Sequence, residues 1–113
     1  MTAPARHLCR LDEIPDGTAR GFRLGEGPEA EQILVVRRGG RVHGWVNRCP
    51  HVGTPLNWLP DRFLSHDGRH LLCATHGALF GIEDGRCLAG PPRGSRLRPV
   101  AVRVEEGAVV LEG

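Results

Sequence analysis

Apolar residues in this chain fall in short runs that alternate loosely with polar ones, and no segment keeps the 3.6-residue period of a helix. The pattern predicts strands over 7–11 and 19–24, separated by the Pro15-Asp16-Gly17 turn. Residues 32–37, Gln-Ile-Leu-Val-Val-Arg, form the strongest strand because of their β-branched run. Gly39-Gly40 is a two-glycine hairpin turn, and 42–47 returns. Further strands are predicted at 70–73 after the Asp67-Gly68 turn, at 79–82, and in a last hairpin of 99–105 and 108–112 around Glu106-Gly107. Between them, 57–64 reads as a short helical turn or Ω-like loop, packed down by Trp58, Leu59 and Phe63. The expected architecture is all-β: one domain over residues 1–113, with an antiparallel β-sandwich base and a smaller subdomain, about residues 47–95, inserted into it.

A chain of 113 residues has room for one core. The 16 glycines and 9 prolines suit many short strands joined by turns. A formal charge of +2 points to neither a nucleic-acid nor a membrane partner, although every basic residue is arginine. No apolar run approaches the ~18 residues of a transmembrane helix, and residues 1–10 lack the apolar stretch of a signal peptide. The expectation is a cytoplasmic protein.

The chemistry sits in two half-sites, Cys49-Pro50-His51 and Cys73-Ala74-Thr75-His76, each offering one sulfur and one nitrogen. Gly53 and Gly77 follow the histidines and let the backbone turn tightly there. A zinc finger pairs its cysteines first and its histidines later. Here each half-site is mixed, and the single residue between Cys49 and His51 is short for two ligands on one zinc. A two-iron centre relieves this, with both cysteines on one iron and both histidines on the other. The competing readings are a surface zinc site, four residues of an ordinary core, or a Cys73–His76 catalytic dyad that would leave Cys49 and His51 without a role. His7, His43, His66 and His70 have no ligand spacing and read as strand-face or solvent histidines. Asp12, Asp61 and Glu83 read as exposed carboxylates, and Cys9 and Cys87 as small buried hydrophobes, since a bond between them does not suit a reducing compartment.

Residues 49–56, 73–80 and 85–92 resemble the two cluster loops of the Rieske family and the approach to its proline loop. The resemblance implies the Rieske (ISP-like) fold and one [2Fe–2S] cluster per chain, held by Cys49, His51, Cys73 and His76. It also implies one-electron transfer rather than catalysis. With two thiolates and two neutral imidazoles the oxidised core sums to zero, so an electron is added more easily than to a four-cysteine cluster. Family members of higher potential carry a loop disulfide and a serine after the second His-Gly. Those places here hold Thr54, Thr75 and Ala78. The sequence is therefore similar to the soluble Rieske ferredoxins that carry electrons from a reductase to a terminal oxygenase. A small subunit of a redox complex, of the nitrite-reductase kind, and a redox- or iron-sensing binding module are the alternatives. Residues 32–60, 68–82 and 85–104 contain no acid but many arginines, so the expected redox partner presents an acidic docking surface.

Overall fold

The computed structural model describes residues 6–25, 27–50, 55–57, 61–74, 77–90 and 95–112. Three antiparallel sheets account for them, with no α-helix among the described residues. Strand β3 (Glu31–Arg38) lies between β2 (Ala19–Leu24) and β4 (Arg41–Val46), and β8 (Pro99–Val100) completes this central sheet. A second sheet joins β1 (Arg6–Arg10), β10 (Ala108–Leu111) and β9 (Val102–Glu105). The third joins β5 (His70–Cys73), β6 (Ala78–Gly81) and β7 (Cys87–Ala89).

The apolar run in β3 exists because both its faces are covered. Leu34 and Val36 point into a core shared with Leu71, Phe80 and Ile82 of the third-sheet region. Val35 points the other way, against Cys9, Ile14 and Val109. A strand buried on both sides loses the alternation that marks a half-buried one. Complete burial of each such aliphatic side chain stabilises the fold by about 1.5–3 kcal/mol.

Two predicted features take a different form. The strand expected over 99–105 changes sheets at Ala101: β8 pairs with β4, whereas β9 pairs with β10. Gly44 makes this possible, since a Cβ there would lie 2.8 Å from the carbonyl oxygen of Val100. Leu11, expected at the end of a strand, begins a 3-10 turn, Leu11–Glu13, in which the Arg10 N–H donates to Glu13 Oε1 at 2.8 Å. In the 57–64 segment Phe63 is fully buried and Leu64 bridges to Leu71, while Trp58 and Leu59 lie outside the described residues. Asp61, read as a plain exposed carboxylate, caps the open edge of β2 by accepting the Gly21 N–H at 2.7 Å.

One side chain fixes the third sheet to the central one. Trp45 in β4 donates its indole N–H to the Ile82 carbonyl at 3.0 Å. Gly85 (φ 68) lies against the ring, where a Cβ would come within 2.6 Å of a ring carbon. Glycine is thus required there for both its left-handed backbone and its lack of bulk.

Candidate metal centre

Strand β4 delivers the chain to Cys49, and Asn47 holds the strand's exit. Its backbone N–H donates to the Gln32 carbonyl at 2.8 Å. Its side-chain Oδ1 accepts the Leu56 N–H at 2.8 Å, and its Nδ2 donates to Asn57 Oδ1 at 2.9 Å. Asn47 is the buried polar residue among those described, 7% exposed, and it closes the first loop from Cys49 to Leu56 across its base. Leu56 is itself fully buried, and its carbonyl accepts the Ala74 N–H at 2.8 Å. One continuous line of hydrogen bonds therefore runs from Asn47 through Leu56 to Ala74, the residue after Cys73.

The second loop leaves β5 at Cys73 and re-enters β6 at Ala78, its partner in register. Gly77, with φ 69, donates its N–H to the Cys73 carbonyl at 2.8 Å, which makes the turn tight. The ends of the third loop are also fixed beside this base. Cys87 N–H donates to the Ser95 carbonyl, and Gly90 approaches so closely that a Cβ would lie 3.1 Å from Ala78 Cα.

Cys49 and Cys73 are 1% and 0% exposed and belong to one buried cluster. His51 and His76 lie outside the described residues, as do Thr54, Thr75 and 91–94 of the third loop. Cys87 is buried in the same cluster, and its thiol donates to the Ala89 and Gly90 carbonyls at 3.5 Å. Cys9 belongs to the other cluster, where burial pushes its thiol pKa up. No disulfide joins any of the four cysteines. Sequence reasoning missed Asn47 and Trp45 as supports of the site.

Charge is distributed less simply than the acid-free segments suggest. Arg37 and Arg38 sit at the β3–β4 hairpin, the far end of the central sheet from Cys49, with Arg41 across the turn. Arg37 donates to the carbonyls of Ile14 and Gly39, so it is used inside the fold. Arg103 pairs with Glu105 and Glu112 on the outer sheet. The other ion pairs, Arg10–Asp12 and Arg20–Glu13, are also remote from the loops. Arg48, Arg96 and Arg98 are exposed and have no carboxylate within ion-pair distance among the described residues.

The sequence profile of the Rieske [2Fe-2S] domain matches residues 5–106. The chain is 30% identical, over 104 residues, to the ferredoxin component of the alkene monooxygenase system of Xanthobacter autotrophicus, covering 92% of this chain and 77% of that protein. It is 26% identical to the cytochrome b6-f complex iron-sulfur subunit of Chlorobaculum thiosulfatiphilum, covering 96% of this chain and 58% of that one. A chain of the complex of reduced oxygenase and oxidized ferredoxin in carbazole 1,9a-dioxygenase superposes with a TM-score of 0.73 at 25% identity, covering 96% of this chain and 93% of that one.

The chain belongs to the Rieske [2Fe-2S] domain family. Its cofactor is one [2Fe–2S] cluster. The residues present fit that group, because two buried thiols outside any disulfide stand at the roots of two loops that are hydrogen-bonded together. Soft sulfur donors of this kind suit iron–sulfur clusters.

Proposed function

We propose that the chain is a one-electron carrier that takes electrons from a reductase to a terminal oxygenase, with Cys49 and Cys73 on one iron of its cluster and His51 and His76 on the other. The observation that carries the ligand assignment is the Asn47–Leu56–Ala74 line, which ties the roots of the two cysteine loops together. When bound, a cluster with this mixed ligand set takes up and returns a single electron. Cys49 and Cys73 must give up their protons to bind, so assembly is coupled to folding of the loops. Leu56, Phe63, Phe80 and Leu97, all 0–1% exposed, pack around the thiols and keep water from them.

The oxygenase partner is supported by the two ferredoxin relatives above, one a component of a monooxygenase system and one solved with an oxygenase. The likeness to a cytochrome b6-f subunit favours a second reading, a fixed subunit of a redox complex. Purification separates the two: a carrier is isolated alone and reduces an added oxygenase with one electron per chain, whereas a subunit is isolated with its complex. A protein that takes up two electrons, or none, sinks both readings. We further take residues 1–113 as one domain, with 47–95 as its cluster-binding part, supported by the third sheet's packing on Trp45 and β3. No helix of the described residues is long and apolar enough to cross a membrane. We take the cytoplasm as its compartment, and cell fractionation tests this.

A further inference from the structure

A groove of ≈ 900 Å³ opens where the central sheet ends beside the first cluster loop. The start of β3, the end of β4 and the approach to β8 meet there, held by bonds from Val46 N–H to the Arg98 carbonyl and from Asn47 N–H to the Gln32 carbonyl. Arg48, Arg96 and Arg98 line it, and Cys49 and Pro50 of the cluster loop form part of its wall. Glu31 is the one acid among its described lining residues, against three arginines. Arg96 is steadied by donating to the Asp84 carbonyl at 3.1 Å, which leaves most of its donors for a ligand. Elsewhere, arginines such as Arg20 and Arg103 meet acids of their own chain.

We propose that this groove binds a carboxylate-rich segment of the redox partner, seated against the first cluster loop. The inference rests on the carrier reading and adds to it where the partner docks and with which groups. Arginine forks match carboxylates in paired geometry. The prolines and Val46 in the wall give apolar contact to the backbone and small side chains between those carboxylates. A free phosphate is the poorer fit. The backbone N–H groups of Val46, Asn47 and Arg48 all donate within the chain, to Arg98, Gln32 and Val46, so none is left to cradle a small anion. Because Cys49 and Pro50 are part of the wall, an occupant of the groove sits beside the loop that carries the electron.

The test uses the oxidised, cluster-loaded protein and fluorescence anisotropy of a labelled peptide of alternating Glu and Ala, with its Gln–Ala counterpart and inorganic phosphate as competitors. The Glu peptide is expected to bind, more weakly as salt rises, and the Gln peptide is not. The double variant Arg96→Gln/Arg98→Gln is expected to weaken binding about tenfold, the sum of two exposed pairs, while Arg20→Gln leaves it within about twofold. Equal losses in both variants, or displacement of the peptide by phosphate at matching concentration, overturn the groove assignment. Visible absorption and midpoint potential of the double variant are read in parallel. If both are unchanged and peptide binding is also unchanged, the groove fails while the carrier reading stands. Wild-type protein that takes up no electron overturns the carrier reading instead.

Discussion

Replacing Asn47 by Ala removes the acceptor of the Leu56 N–H and the donor to Asn57 in one step. Leu56 is fully buried, so its N–H finds no water in exchange. An amide orphaned in this way costs about 1–3 kcal/mol, and the second bond adds about 0.5–1.5 kcal/mol. A net loss of about 2 kcal/mol, toward the lower end of that summed range, is expected, and it falls on the base of the loop that carries Cys49. Where cluster release follows loop opening, that loss speeds release about 30-fold, since about 1.4 kcal/mol is a factor of ten. The assay is the decay of visible absorbance under an iron chelator, with thermal unfolding of the same samples. Asn57→Ala serves as the comparison, because it leaves the Leu56 N–H satisfied, and its effect on release should be smaller. Equal release rates for wild type and Asn47→Ala would refute the argument that this side chain closes the loop.

Further outcomes follow from the same geometry. Ala78 is fully buried opposite Cys73, so Ala78→Ser should raise the midpoint potential by bringing a hydroxyl near a cluster sulfur. The wild-type value should lie toward the bottom of the roughly −150 to +300 mV Rieske range, and a midpoint above about +100 mV contradicts this. Gly85→Ala should cost about 2–4 kcal/mol through its positive φ and its collision with Trp45, whereas Gly107→Ala, with no comparable contact, should cost about 1 kcal/mol; denaturant melts compare them. Asp67 has its pKa lowered from 3.8 by the Ser65 hydroxyl and then by the Arg69 N–H. A depressed carboxylate contributes stability above its unfolded value and loses it as pH falls through the folded one. The 65–70 hairpin should therefore hold unchanged from neutral pH to about pH 5 and loosen below about pH 4, an NMR titration that Asp67→Asn abolishes.

Hairpins whose turns need glycine were legible, and Cys49 and Cys73, paired in the sequence by ligand spacing alone, fall in one buried cluster, while His51 and His76 lie outside the described residues. Gly68 and Gly107 have the positive φ that their Asp-Gly and Glu-Gly pairs imply. The break of 99–105 was not legible, because Ala101 carries no turn signal and the change of sheet is set by how closely Gly44 lets Val100 approach. Strand β7 was missed for a related reason: three residues become a strand only beside Phe80 and Leu79. Asn47 reads as a polar residue at a strand end, and its burial depends on Gln32, Leu56 and Asn57 meeting around it. The acid-free segment 32–60 grouped Arg37, Arg38 and Arg41 with Arg48, yet the β3–β4 hairpin sends them to opposite ends of one sheet. A linear charge run does not record that reversal.

The proposed centre holds two irons, the second of them bound by His51 and His76. Pulsed EPR of the reduced protein grown with nitrogen-15 histidine tests it most directly, alongside iron and acid-labile sulfide analysis. Two irons and two sulfides per chain are expected, with a rhombic signal whose average g lies below that of four-cysteine ferredoxins and couplings from two histidine nitrogens. Each of the variants His51→Ala and His76→Ala should lose the centre. A single zinc without sulfide, or a two-iron signal with no histidine coupling, would contradict it.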